Sequence, residues 1–409
     1  MRLNPFRAVR PHPDLAAQVA AVPYDVVNRT EAAELARGNP YSFLHVGRSD
    51  IDLPDDVDPH DPRIYARARG ALDEFLAGGT LLQDPGAGLF LYRQIMDGRT
   101  QIGVVGCVHV DDYERDLIRK HEKTRQDKED DRTRHVLTLN ANAEPVFLTY
   151  RGRPEIDALI AGITTGSSPL YDFTTPDGVR HTVWTAPDPE ALAEAFGEVT
   201  HAYVADGHHR SASAWRAGKE LRAKNPTHRG DEEYNWFLAV LFPSDQLRIL
   251  PYNRVVRDLN GQTPSQVLDR LGRLGKLTAT RKASPDRSGV FCIYLDGGWH
   301  RLELDPASID RSDPITSLDV SLLQDRVLSP ILGIGDPRTD KRIDFVGGIR
   351  GTAELERRVK SGEMAIAFSL FPTTLDQLMA VSDAGQVMPP KSTWFEPKLR
   401  SGLFVHGLE

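Results

Sequence analysis

THAYVADGHHRSASAWR, residues 200–216, is the stretch from which the rest of the chain can be read. An apolar run from Ala202 to Ala205 has the character of a strand and ends at Asp206 and Gly207. Two histidines and an arginine follow, and SASAWRAGKELRAK then has the composition of a helix. Gly207 lets the backbone turn sharply and approach a ligand closely. N–H groups at a helix start lack intrahelical partners, and together with the helix dipole they attract anions. Arg210 can fork onto phosphate oxygens, and His208 and His209 can donate to them. Asp206, at the strand end, is placed to hold a metal ion or to accept a proton from an attacking hydroxyl. Zinc fits less well, because no HxxxH or CxxC partner closes a shell around the two histidines.

Working outward, strands and helices mix irregularly. Thr30 is a candidate N-cap for a helix over EAAELARG, and YSFLHV, residues 41–46, reads as a strand. Apolar residues Ile64, Ala68, Leu72, Phe75 and Leu76 recur at helical spacing over 63–79. Asp97–Gly98, Pro176–Asp177–Gly178 and Asp296–Gly297–Gly298 each sit between strand-like runs and predict hairpins. Helices are expected over PEIDALIAGI and PDPEALAEAFGEV. Residues 111–135 hold nine acidic and eight basic residues, which predicts a solvated helix or a helix pair. This pattern is that of an α+β protein with mixed sheets and several hairpins, not a regular doubly wound sheet.

The chain has 409 residues, 50 Lys+Arg against 58 Asp+Glu, a net charge of −8 and a hydrophobic fraction of 40%. That suits a soluble globular chain of two or three domains and excludes disordered, collagenous and disulfide-rich scaffolds. Expected regions are an N-terminal α/β region over 1–110, the charged segment plus a catalytic core over 111–260, and a C-terminal α/β region with a docking tail over 261–409. Cys107 and Cys292 lie in apolar runs and read as reduced core residues. No signal-peptide pattern and no membrane-spanning run is present, so a cytoplasmic protein without membrane or nucleic-acid partners is expected.

Three further segments carry candidate chemistry. In HEKT, residues 121–124, Glu122 is a possible general base and Lys123 a phosphate contact. Asn140 and Asn142 can line a polar pocket. The tail MPPKSTWFEPKLRSG offers Lys391, Ser392, Thr393, Lys398 and Arg400 to an anion, and its aromatic residues predict that it docks. Asp25 in VPYDVV and Tyr41 and Ser42 in NPYSFLHV lie in polar-aromatic turns. The sequence has no GxxxxGK(S/T) loop, no GxGxxG after a strand, no GxSxG elbow and no kinase-type HRD or DFG.

ADGHHR, between a strand and a helix, resembles the signature of free-serine kinases with a ParB/sulfiredoxin-like core. Together with NPFRAVRP, VPYDVV, NPYSFLHV, HEKT and MPPKSTWFEPKLRSG, it makes nearly the whole chain resemble a large bacterial family classed as a domain of unknown function. The resemblance implies phosphoryl transfer to the hydroxyl of free L-serine, giving O-phosphoserine. It implies Asp206 as a catalytic residue and His208, His209 and Arg210 as phosphate ligands. It also implies a catalytic glutamate, for which Glu122 is the candidate. Mg²⁺ is expected as cofactor, and pyrophosphate, ADP and ATP all stand as donors. Rival readings are a ParB-like nucleotide-binding switch, a sulfiredoxin-like reductase and a non-catalytic anion-binding protein. A reductase would need a cysteine where His208 stands.

Overall fold

The computed structural model describes all residues, 1–409, and divides into two compact units. The first comprises Met1–Leu247 and Pro397–Glu409, and the second Arg248–Glu396. The chain thus divides at 247/248 and 396/397, where the sequence suggested boundaries near 110 and 260. One sheet draws strands from both sides of residue 110, which is why no boundary falls there.

The sheet of the first unit has nine strands: β1 (Leu3–Asn4), β2 (Phe90–Met96), β3 (Arg99–His109), β4 (Ile118–Arg119), β5 (Val146–Tyr150), β6 (Tyr171–Thr174), β7 (Arg180–Thr185), β8 (Ala202–Asp206) and β9 (Trp236–Pro243). Their order is β4-β8-β5-β9-β3-β2-β7-β6, with β1 beside the far end of β3. β8 runs parallel to β4 and β9 parallel to β5, while the other pairs are antiparallel. The expected hairpins form at Asp97–Gly98 and around Asp177, with positive φ at Asp97, Gly98 and Gly178. The central strands are apolar along their length because both faces are covered. Val146, Leu148, Val204, Ala239 and Leu241 pack with Ile156, Leu192 and Phe196, while Phe147 and Phe242 meet on the other face at 4.8 Å.

The helices of this unit include α1 (Arg29–Ala36), α2 (Pro62–Ala77), α3 (Gln126–Leu139), α4 (Pro154–Gly166), α5 (Pro189–Gly197) and α6 (His208–Lys224). Four local readings need correction. Asn28, not Thr30, caps α1, through a reciprocal pair of 2.9 Å bonds with Glu31. YSFLHV is not a strand: Leu44–Gly47 is a short helix, and Phe43, Leu44 and Val46 all enter a second apolar cluster with Ala68, Leu72 and Phe75. Six residues are too few for periodicity to separate the two states. The charged run is not one solvated element. Val110–Glu114 is helical, β4 pairs with β8, and residues 120–125 form a loop before α3. Burial of Ile118 in the sheet overrides the surface-like charge pattern. Finally, α6 begins at His208 rather than at Ser211.

The second unit is built on a six-stranded antiparallel sheet of Gly275–Thr280, Gly298–Leu304, Val290–Leu295, Ile366–Leu370, Tyr252–Val256 and Ile343–Gly347, in that spatial order. The whole is a mixed α+β architecture with several sheets. Both cysteines are buried and free. No helix is long and apolar enough to cross a membrane.

Candidate active site

The strand-to-helix turn after β8 is shaped by a bulge and a left-handed glycine. The register of β8 against β5 shifts between Val204 and Asp206, which re-aims Asp206 at the strand end. Gly207 then adopts φ +95° and ψ 34° and opens α6 as its N-cap, with no side chain capping the first N–H groups. Those donors are therefore available to a ligand. A Cβ on Gly207 would sit 3.1 Å from the Arg210 guanidinium. Gly207→Ala is expected to cost about 1–3 kcal/mol in a denaturant titration, through the positive φ, and to displace Arg210. An unchanged midpoint would mean the turn relaxes without strain.

Arg210 is the most constrained cation of the turn. Its side chain is 7% exposed, Nη1 donates to the Pro145 carbonyl at 2.5 Å, and Nε and Nη2 have no hydrogen-bond partner. The nearest carboxylates, Asp25 and Asp206, lie at 3.6 and 3.8 Å from Nη2, beyond hydrogen-bond distance. A buried guanidinium with two unsatisfied nitrogens is costly unless a ligand completes it. Asp206 accepts the Gly207 N–H at 2.9 Å and pairs with Lys398 Nζ at 3.1 Å. Burial works against its charged form, but Lys398 and Arg210 prevail and hold the carboxyl well below the usual range.

The histidines differ. His208 is buried, stands edge-on to His121 at 4.4 Å, and lies 3.9 Å from Glu122. Burial and the neighbouring His121 keep His208 neutral, and burial lowers His121 to about 4. His209 accepts the N–H of Arg125 at 3.2 Å, and burial lowers its pKa. Glu122 and Lys123 are exposed in the loop before α3, not on a helix.

The structure thus gathers Asp206, Gly207, His208, His209, Arg210 and Glu122, with Asp25 and Lys398 joining them. Lys391, Ser392 and Thr393 belong to the second unit. There Ser392 donates to the Pro389 carbonyl at 2.6 Å, Lys391 has a positive φ and its ammonium lies 5.6 Å from the Tyr252 ring centre. Arg400 is engaged elsewhere, with Asp177, with Thr175 at 3.2 Å and with His181 at 3.4 Å. That buried cluster anchors the C-terminal strap and so sets the backbone of Lys398, whose carbonyl also accepts from Gln94 at 2.8 Å. Asn140 caps the end of α3 with φ +51°, while Asn142 accepts the Leu238 N–H at 3.3 Å. Ser42 is buried beside the Leu44 N–H, a structural turn.

Glu144 and Arg132 carried no sequence signal beyond a carboxylate at the start of an apolar strand and one arginine among many. Both line a cavity with Arg210, Asn142, His135 and Ser213. No group of three or more His, Cys, Asp or Glu side chains is gathered to hold a metal.

No curated protein matches the chain. Among solved structures, a free serine kinase in complex with AMP shares 13% identity, with 73% of this chain and 91% of that one covered and a TM-score of 0.36. A conserved hypothetical protein from Pyrococcus furiosus shares 14%, over 74% and 95%, with a TM-score of 0.35. SbnI from Staphylococcus aureus, with a C-terminal truncation, shares 11%, over 74% and 87%, at 0.35. The sequence pattern of one family matches residues 3–321, and the chain belongs to that family, the proteins of unknown function DUF1015.

Proposed function

We propose that this protein is a phosphotransferase that moves a phosphoryl group onto the hydroxyl of free L-serine, from pyrophosphate or from ADP or ATP. The observation that carries the phosphoryl half is Arg210: a buried guanidinium with two unpartnered nitrogens, at an uncapped helix start, beside the Asp206 carboxylate. Phosphoryl transfer needs positioning and charge neutralisation more than covalent catalysis, and these groups supply both. The acceptor is taken from the resemblance of ADGHHR to the free-serine kinases.

In this reading the first N–H groups of α6, Arg210 and His209 hold the transferring phosphate, with Lys123 reaching in from the loop. Asp206 orients the acceptor hydroxyl, and Glu122 takes its proton. Mg²⁺ would come with the donor, held by its phosphates with Asp206 as a protein ligand, and would neutralise developing charge. Glu122→Gln is expected to lower turnover and leave the melting temperature unchanged, because the side chain is 46% exposed. Parent-like turnover would reduce HEKT to a surface loop.

The Lys398–Asp206 pair favours one second reading, a non-catalytic anion-binding protein, since a paired carboxylate is a weak base. Incubation with L-serine, Mg²⁺ and each donor in turn, followed by analysis for O-phosphoserine, decides between them. No product with any donor, while phosphate or pyrophosphate still binds, would leave the second reading.

A further inference from the structure

The cavity that Arg210 lines has an unusual charge content. Arg132, Glu144 and Arg210 all line it, yet Glu144 forms no ion pair with either arginine. Arg132 donates from Nε to Asp131 at 2.8 Å and stacks over Tyr24 at 4.2 Å, and its terminal nitrogens make no hydrogen bond within the protein. Glu144 accepts from Ser401 Oγ at 3.1 Å through Oε1 and makes no other hydrogen bond. Gly47 leaves room for it: a Cβ there would stand 2.8 Å from Oε1. Two guanidiniums and a carboxylate therefore face one space without neutralising each other, and two nitrogens of Arg210 stay unsatisfied beside it.

Charge and size together narrow the ligand. A simple anion would meet Glu144, and a metal ion would meet two arginines. A molecule carrying an anion and a cation on neighbouring groups can set the first on Arg132 and the second on Glu144. The cavity has about 390 Å³ of space with its open mouth included, near the small end of ligand sites. Val136, Ala143, Val146 and Phe237 form apolar wall, which strengthens charged contacts made there.

We infer that this cavity binds the zwitterionic head of a small α-amino acid, with the carboxylate on Arg132 and the ammonium on Glu144. Arg210 is the shared wall. It lines the cavity and lies 3.8 Å from Asp206, which joins the head-group cavity to the strand-to-helix turn. The inference rests on the proposed function for the ligand's side chain being a hydroxymethyl, and not for the head group.

The test is calorimetric titration of the full chain at pH 8 with L-serine, 3-hydroxypropionate (no ammonium) and ethanolamine (no carboxylate). Pyrophosphate is titrated separately. The parent should bind L-serine at least ~10-fold tighter than either analogue, the scale of one lost charged hydrogen bond. Glu144→Gln should erase the preference over 3-hydroxypropionate, and Arg132→Gln the preference over ethanolamine. Pyrophosphate affinity should be unchanged in both. Equal losses for L-serine and both analogues, unchanged preferences, or no L-serine binding by the parent would each overturn the inference. If Glu144→Gln does not fold, Glu144→Asp and the Arg132 arm still decide it. Charge-selective L-serine binding without phosphate transfer would overturn only the kinase reading. Transfer with a parent-like serine KM in both variants would overturn only the cavity assignment.

Discussion

Asp206→Asn is expected to leave the fold intact and to lower phosphoryl transfer about 10²-fold, the scale on which a misplaced reacting group costs rate. The amide can still accept the Gly207 N–H that the carboxylate accepts at 2.9 Å, so the turn should hold. What it loses is the charge that faces Lys398 and Arg210. With its carboxyl held well below the usual range, Asp206 binds a proton poorly, so on the proposed reading it would orient the hydroxyl and hold the donor's cation rather than take the proton. A loose transition state tolerates this, because little proton transfer is needed before the phosphoryl group has left. The variant removes both a negative charge facing the donor's phosphates and a ligand to the donor's cation, which act oppositely on donor binding, so the expected loss is in kcat. Circular dichroism and steady-state kinetics check both halves. Near-parent turnover would remove Asp206 from the catalytic reading, and a raised donor KM with parent-like kcat would make it a binding residue only.

What could be read from the sequence was local. The hairpins at Asp97–Gly98 and Asp296–Gly297 follow from residues that tolerate positive φ, which they adopt at 51°, 73°, 51° and 77°. The Asp206–Arg210 turn was legible because a strand, a glycine and a helix follow one another within a few residues. The loop nature of HEKT was not, since it depends on β4 pairing with β8 far along the chain. Lys398 stands 192 residues from Asp206, and only the anchored strap brings them together. Glu144 and Arg132 are equally illegible in the sequence. Their significance lies in sharing a cavity with Arg210, and no spacing rule encodes that.

Glu144→Gln is also expected to change how stability depends on pH, independently of any ligand. Burial raises the Glu144 carboxyl from its ordinary 4.5 to about 7, and Arg210 and Arg132 only partly offset that, while Asp25 adds to it. The groups around it are these three, Ser401, and His135 in the same cavity wall. A carboxyl raised in the folded state favours folding while protonated. Its contribution is complete below the unfolded value near 4.5 and is lost as pH rises through 7. The shift corresponds to about 3 kcal/mol between those limits. His109, His121 and His135 act in the opposite sense, since burial lowers them to about 4, 4 and 3 and acid must charge them. The parent's profile therefore mixes both slopes, and the difference between parent and Glu144→Gln isolates one of them. That difference should be small near pH 5 and should grow in favour of the variant up to pH 8, measured as denaturation midpoints at constant ionic strength. A difference independent of pH would mean that Glu144 keeps its ordinary carboxylate character, with Arg132 and Arg210 close enough to neutralise it.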